Sequence, residues 1–104
     1  MPAGAVEHHQ ESPEAYFAHT AGLRVVAPSN AHDAYWMIQQ AIKSEDPVIF
    51  MEPKAKYWMK GEVDTSLTVD IGSARIAREG TDVTVLAYAA MVPVAPRTYS
   101  GVRV

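Results

Sequence analysis

Leu23-Arg24-Val25-Val26-Ala27-Pro28-Ser29-Asn30 is a compact apolar, β-branched run stopped by a proline and followed by two residues able to cap a helix. Apolar density without alternation is the pattern of a strand buried on both faces, as in a parallel sheet. Ser29 or Asn30 can accept the free backbone N–H groups at the start of the next element. Ala34, Met37, Ile38, Ala41 and Ile42 then recur at spacings of three and four, which places them on one face of a helix and predicts that this face packs on the sheet. Lys43-Ser44-Glu45-Asp46 is a polar turn, and Pro47-Val48-Ile49-Phe50-Met51, ending at Glu52-Pro53, reads as a second buried strand. Strand, helix and strand over this length predict a parallel βαβ unit with a right-handed crossover, hence an α/β fold.

Working outward, Ser12-Pro13-Glu14 is a helix-start signal, with Ser as cap, Pro at the first helical position and Glu at the positive helix end. It predicts a short helix from about Pro13 to His19, closed by Gly22 in a left-handed conformation. Downstream, the pattern weakens from Ala55 to Thr68, and residues 61–68 read as a linker. Val69 to Arg78 alternates in character, Glu79-Gly80 turns, and Asp82 to Tyr88 is a further strand, so residues 69–91 read as the opening strands of a second domain. Pro93 and Pro96 interrupt the last stretch, predicting an irregular tail over 92–104 rather than a helix. Residues 1–60 form the first unit of this division.

With 104 residues, 48% of them hydrophobic and 20% charged, the chain has the composition of one small globular unit. A net charge of −3 with nine scattered basic residues gives no electrostatic footprint for nucleic acid. No run is long enough and apolar enough to span a bilayer, and the first residues lack the basic start and apolar core of a signal peptide, so no membrane role and a cytoplasmic location are expected. The absence of Cys excludes disulfides and thiolate metal sites.

In open α/β sheets chemistry gathers at the carboxyl ends of the parallel strands, which nominates Pro28-Ser29-Asn30 and Glu52-Pro53-Lys54. Glu7-His8-His9-Gln10-Glu11 is the densest titratable cluster, and imidazole beside carboxylate suits proton transfer near neutral pH. Against this stands the simpler reading of a solvated loop, because adjacent histidines in extended chain point to opposite sides and do not readily share a metal. His19 and His32 have no evident partner and read as surface or boundary residues. Glu52 reads as a loop carboxylate paired with Lys54 or Lys56, and Tyr16-Phe17, Tyr35-Trp36 and Tyr57-Trp58 as core or interface aromatics. No glycine-rich phosphate loop, nucleophile elbow or zinc spacing is present.

The run His9-Gln10-Glu11-Ser12-Pro13-Glu14-Ala15-Tyr16-Phe17-Ala18-His19-Thr20, with Gly22 to Pro28 close behind, resembles the β subunit of the E1 component of 2-oxoacid dehydrogenases. The likeness continues in order through Asp33-Ala34, Ala41-Ile42, Asp46 to Lys54, Gly72 to Ile76 and Glu79 to Thr84, covering roughly Val6 to Met91. It implies a transketolase-like fold, with the second half of a pyrimidine-binding domain followed by the first strands of the transketolase C-terminal domain. It also implies thiamine diphosphate as cofactor, magnesium held through an E1 α subunit in an α2β2 heterotetramer, and acyl transfer from a 2-oxoacid to a lipoyl-bearing E2 transacylase. His9 falls on the family's active-site histidine. The backbone carbonyls of Ala41, Ser44 and Asp46 fall on ligands of a structural potassium ion. The family's cofactor-activating glutamate has no counterpart here, and the likeness stops near Val92, so the resemblance implies a piece truncated at both ends and inactive alone. Ser12-Pro13-Glu14 and Met51-Glu52-Pro53-Lys54 point to the branched-chain type. Pyruvate dehydrogenase E1 β is the alternative, and a non-catalytic remnant that only binds an α-like partner is the rival of another class.

Overall fold

The computed structural model describes residues 11–98 and 102–104. Its organising element is the βαβ unit that the apolar runs predict. Strand β1 (Arg24–Val26) is followed by helix α2 (Ala31–Lys43) and strand β2 (Val48–Phe50), with a short helix α1 (Glu14–Ala18) before them. β1 and β2 pair in parallel with Val25 opposite Ile49, and the ladder is extended by Arg24 N–H donating to the Pro47 carbonyl (3.1 Å) and Met51 N–H to the Val26 carbonyl (2.8 Å). Parallel neighbours need a crossover, and α2 supplies it. An ion pair between Arg24 and Asp46, 2.9 Å long with both side chains 56% exposed, joins the start of β1 to the turn before β2 and contributes at most about 1 kcal/mol.

Of the two capping candidates, Asn30 is the one used. Its backbone is extended (φ −154°, ψ 177°) and its Oδ1 accepts the Asp33 N–H at 2.7 Å. Ser12 does not cap α1. Pro13 occupies the cap position with no side-chain hydrogen bond, and its carbonyl takes the Tyr16 N–H instead. Gly22 has φ +85°, the left-handed turn expected between α1 and β1.

The apolar stripe of α2 is covered only in part. Ala34, Met37 and Ala41 are half-buried, but Ile38 is 38% and Ile42 76% exposed, because the two-stranded sheet is too narrow to cover the whole stripe. Buried hydrophobic residues among those described are Val26, Ala89 and Ala95, while Trp58 and Leu86 lie almost wholly in solvent.

The second half departs from the expected strands. Val69 to Arg78 is not a strand: Ser73 N–H turns back to the Asp70 carbonyl (3.2 Å), Gly72 sits at φ +99°, and Ile71 N–H is taken by the Gln40 side chain (2.9 Å). Backbone groups already engaged in a turn and on a helix side chain are not available for a ladder. Of Asp82 to Tyr88, the two residues of β3 (Val83–Thr84) are strand, paired in parallel with β4 (Val102–Arg103). Val104 extends this arrangement, its carbonyl accepting from Ala77 and Arg78 N–H and its N–H donating to the Arg78 carbonyl. Nor is the tail irregular throughout. Ala95–Thr98 forms a one-turn helix, α3, with Pro96 in the first turn, where a missing N–H costs nothing.

Candidate functional site

The two strand ends nominated by topology do meet. Pro28, Ser29 and Asn30 after β1, and Glu52 and Pro53 after β2, border one open cavity of about 560 Å³, completed by Tyr35 and Ile38 of α2, Phe50 and Tyr57. The cavity is mostly apolar, with its polar groups concentrated where the strands end.

Glu52 does not pair with Lys54 or Lys56. Its Oε2 accepts the Tyr57 hydroxyl at 2.6 Å, because the 3₁₀ turn Lys54–Lys56 swings the following residue back over the strand end. That hydrogen bond, with a lesser contribution from desolvation and from the Glu52 charge, raises the Tyr57 phenol above its ordinary value of 10.0. Tyr57 therefore stays protonated throughout the neutral range and acts here as a hydrogen-bond donor, not a base. Tyr57, expected in a core or interface, is 57% exposed in the described residues. The turn that brings Tyr57 back carries no sequence signal beyond Pro53, so this pair was not foreseeable from spacing.

Behind the cavity lies a buried polar knot at the start of α2. Ser29 and Asp33 are each 7% exposed. Asp33 Oδ2 accepts from the Ser29 hydroxyl, from Ser29 N–H (3.3 Å) and from Asn30 Nδ2 (3.0 Å), and Arg75 Nη2 lies 3.7 Å away. Arg75 also donates to Ser29 Oγ at 3.3 Å. These donors satisfy the buried carboxylate at the start of α2. The spacing Ser29-x-x-x-Asp33 is the signal that could have found this knot.

His32 is not without a partner. Its Nδ1 accepts the Asp64 N–H at 3.2 Å, which requires the proton on Nε2. The Asp64 carboxyl accepts from the Ser66 hydroxyl (2.6 Å) and N–H (2.8 Å), and these bonds hold it below its ordinary value of 3.8.

His9 and the whole cluster Glu7 to Gln10 lie outside the described residues. Ala41 is in the last turn of α2, its carbonyl accepting the Ser44 N–H at 3.3 Å. Ser44 is the C-cap, and Asp46 follows with its N–H on Ser44 Oγ (3.2 Å). His19 closes α1. Among the described residues no group of three or more His, Asp or Glu is placed to hold a metal. The carboxylate that borders the first cavity, Glu52, is exposed and engaged by the Tyr57 hydroxyl rather than enclosed to face an aminopyrimidine. The described residues alone do not fit thiamine diphosphate.

Parallel strand ends opening on a mostly apolar cavity are the usual place for a ligand site in an α/β unit. The chain belongs to the transketolase pyrimidine-binding-domain family, whose model, "Transketolase, pyrimidine binding domain", matches residues 2–59, the stretch that holds the βαβ unit and the first cavity. Within that family it is similar to E1 β subunits of 2-oxoacid dehydrogenases. It is 68% identical over 95 residues to the pyruvate dehydrogenase E1 component subunit beta of Leifsonia xyli subsp. xyli, covering 90% of this chain and 28% of that protein. It is 52% identical over 93 residues to the 3-methyl-2-oxobutanoate dehydrogenase subunit beta of Mycobacterium tuberculosis, covering 88% and 27%. It is 43% identical over 83 residues to the 2-oxoisovalerate dehydrogenase subunit beta of Bacillus subtilis, covering 78% and 25%. The chain spans about a quarter of the length of these curated relatives. Both substrate types are thus represented among its relatives, and the expected branched-chain type is not singled out. Among the described residues no helix is long and apolar enough to cross a membrane.

Proposed function

We propose that this chain is the part of an E1 β subunit that carries the second half of the pyrimidine-binding domain in a thiamine-diphosphate-dependent 2-oxoacid dehydrogenase. The observation that supports this most is the 68% identity to an E1 β subunit across 95 residues. In this reading residues 61–68 mark the domain boundary, an E1 α subunit completes the cofactor site and brings magnesium, and a lipoyl-bearing E2 receives the acyl group. The cofactor supplies the carbanion chemistry when bound, and the protein supplies orientation and proton transfer. His9 is the proton-transferring group, suited by an imidazole that is partly protonated near neutral pH. The carbonyls of Ala41, Ser44 and Asp46 hold a potassium ion that braces the end of α2. A carbonyl has two lone pairs, so the Ser44 N–H on Ala41 leaves one for a hard cation.

The branched-chain substrate expected from Ser12-Pro13-Glu14 and Met51-Glu52-Pro53-Lys54 is supported by the relatives at 52% and 43% identity. The relative at 68% favours the second reading, pyruvate. Decarboxylation of 2-oxoisovalerate and of pyruvate by a β subunit containing this sequence, assembled with its α partner, separates the two. A higher kcat/KM for 2-oxoisovalerate supports the first, and a clear preference for pyruvate removes the branched-chain assignment.

A further inference from the structure

Residues 61–68 are all exposed and form neither helix nor strand, so apolar burial does little to hold them. What fixes the path of residues 61–71 is a row of side chains on α2 at intervals of four. His32 Nδ1 takes the Asp64 N–H (3.2 Å), and Trp36 Nε1 donates to the Asp64 carbonyl (3.1 Å). Gln40 grips the backbone twice, donating to the Val69 carbonyl and accepting the Ile71 N–H (2.9 Å). This periodicity places the three side chains along one helix face. The held segment runs on to Arg75, whose guanidinium reaches Ser29 and Asp33.

Beneath it lies a second cavity of about 460 Å³. Val26, Met37, Ser29 and Asp33 line it from the βαβ side, Thr68 to Arg75 from a second side, and Ala87 to Ala89 with Val92 and Val104 from a third. We infer that residues 61–75 are a strap latched to α2 by His32, Trp36 and Gln40, and that the strap covers one side of this cavity and opens as a unit. A segment held by a few side-chain bonds, with Val69 and Ile71 only half-buried, belongs to the low-stability end of a structure, where local opening occurs without global unfolding. Freeing Ile71 and Val69 from Gln40 leaves Asp64, held by His32 and Trp36, as the remaining tie of residues 61–71 to these α2 side chains.

Native-state amide exchange on the whole chain tests this, comparing the wild type with Gln40→Ala and with Trp36→Phe, which keeps the ring and removes the N–H donor. Each variant is expected to speed exchange at the Ile71 and Asp64 amides together, by about ten-fold for the loss of the two Gln40 bonds, while the Met51 amide in the β1–β2 ladder is unchanged. Oxidation of Met37 by dilute peroxide is expected to accelerate in parallel, as the cavity opens. Acceleration confined to the amide whose own bond was deleted would overturn the strap. So would equal acceleration at Met51, an unchanged Met37 rate, or no protection at Asp64 and Ile71 in the wild type.

Discussion

Replacing Asp33 by Ala strikes the point where helix start, strand end and strap converge. The substitution removes the acceptor of Ser29 Oγ–H, Ser29 N–H and Asn30 Nδ2. Asn30 is half-buried and can turn to water, but Ser29 is 7% exposed, so two donors are left buried without a partner. Each costs about 1–3 kcal/mol, giving about 3 kcal/mol for the pair on a conservative sum. The Arg75 contact adds at most about 0.5 kcal/mol, because that side chain is 54% exposed and the separation is 3.7 Å. Small domains are stable by about 5–15 kcal/mol, and a chain whose buried hydrophobic residues, among those described, are Val26, Ala89 and Ala95 belongs at or below the bottom of that range. Loss of about 3 kcal/mol therefore takes most of what holds the βαβ unit. In a urea titration followed by far-ultraviolet circular dichroism, Asp33→Ala is expected to lose most of its helical signal before denaturant is added, and Arg75→Ala to shift the midpoint only slightly. An Asp33→Ala midpoint equal to that of the wild type would refute the reasoning, as would an Arg75→Ala variant that is equally damaged.

Three further outcomes follow from the geometry. Glu52→Gln is expected to bring the Tyr57 phenol back toward 10.0, read by carbon NMR of the tyrosine ring. Because the folded state raises this group, the Glu52–Tyr57 bond contributes below the unfolded value and is lost as pH rises through the folded one, so an unchanged titration in the variant removes that bond from the account. Asp64 is lowered in the folded state, so the contribution of its Ser66 contacts is present above 3.8 and is lost as pH falls below it through the folded value; Ser66→Ala is expected to move the Asp64 titration upward, and no movement counts against the Asp64–Ser66 turn. Gly22→Ala meets no atom within 4 Å but must adopt φ +85°, so a loss of about 1 kcal/mol is expected in the same urea titration, and a neutral result speaks against the left-handed turn.

The first half of this fold was readable because its signals are local and agree with one another. Val25-Val26 and Val48-Ile49-Phe50 have the strand character, Asn30 the cap and Gly22 the turn, and a parallel pair joined by a helix has few other solutions. The ladder from Arg24 to Val26 and the cap on Asp33 are what those residues imply. Within the second half the strand expected from Val69 to Arg78 is absent because alternation says nothing of partners, and the Gln40 amide and the Asp70–Ser73 turn claim that backbone instead. Pro96 was weighed as a helix breaker when its position in the first turn makes it neutral. At the site, strand ends located the first cavity, but the Glu52–Tyr57 bond and the row His32, Trp36 and Gln40 depend on where a connecting segment lies in space. Polar residues on a helix face carry no mark of whether they meet water or a neighbouring backbone. The chemistry of Glu7 to Glu11 marks that cluster as a proton-transfer candidate, and family resemblance is what singles out His9 within it.

The proposed function makes this sequence part of an E1 β subunit in which His9 moves a proton. Its most direct test is reductive acylation of a lipoyl domain by a 2-oxoacid, measured on a β subunit containing this sequence and assembled with its α partner, beside the same assembly carrying His9→Ala. The account predicts acylation that requires thiamine diphosphate and falls by about a hundred-fold or more in the variant. Absence of turnover with every 2-oxoacid, or an unaltered rate in His9→Ala, would contradict it.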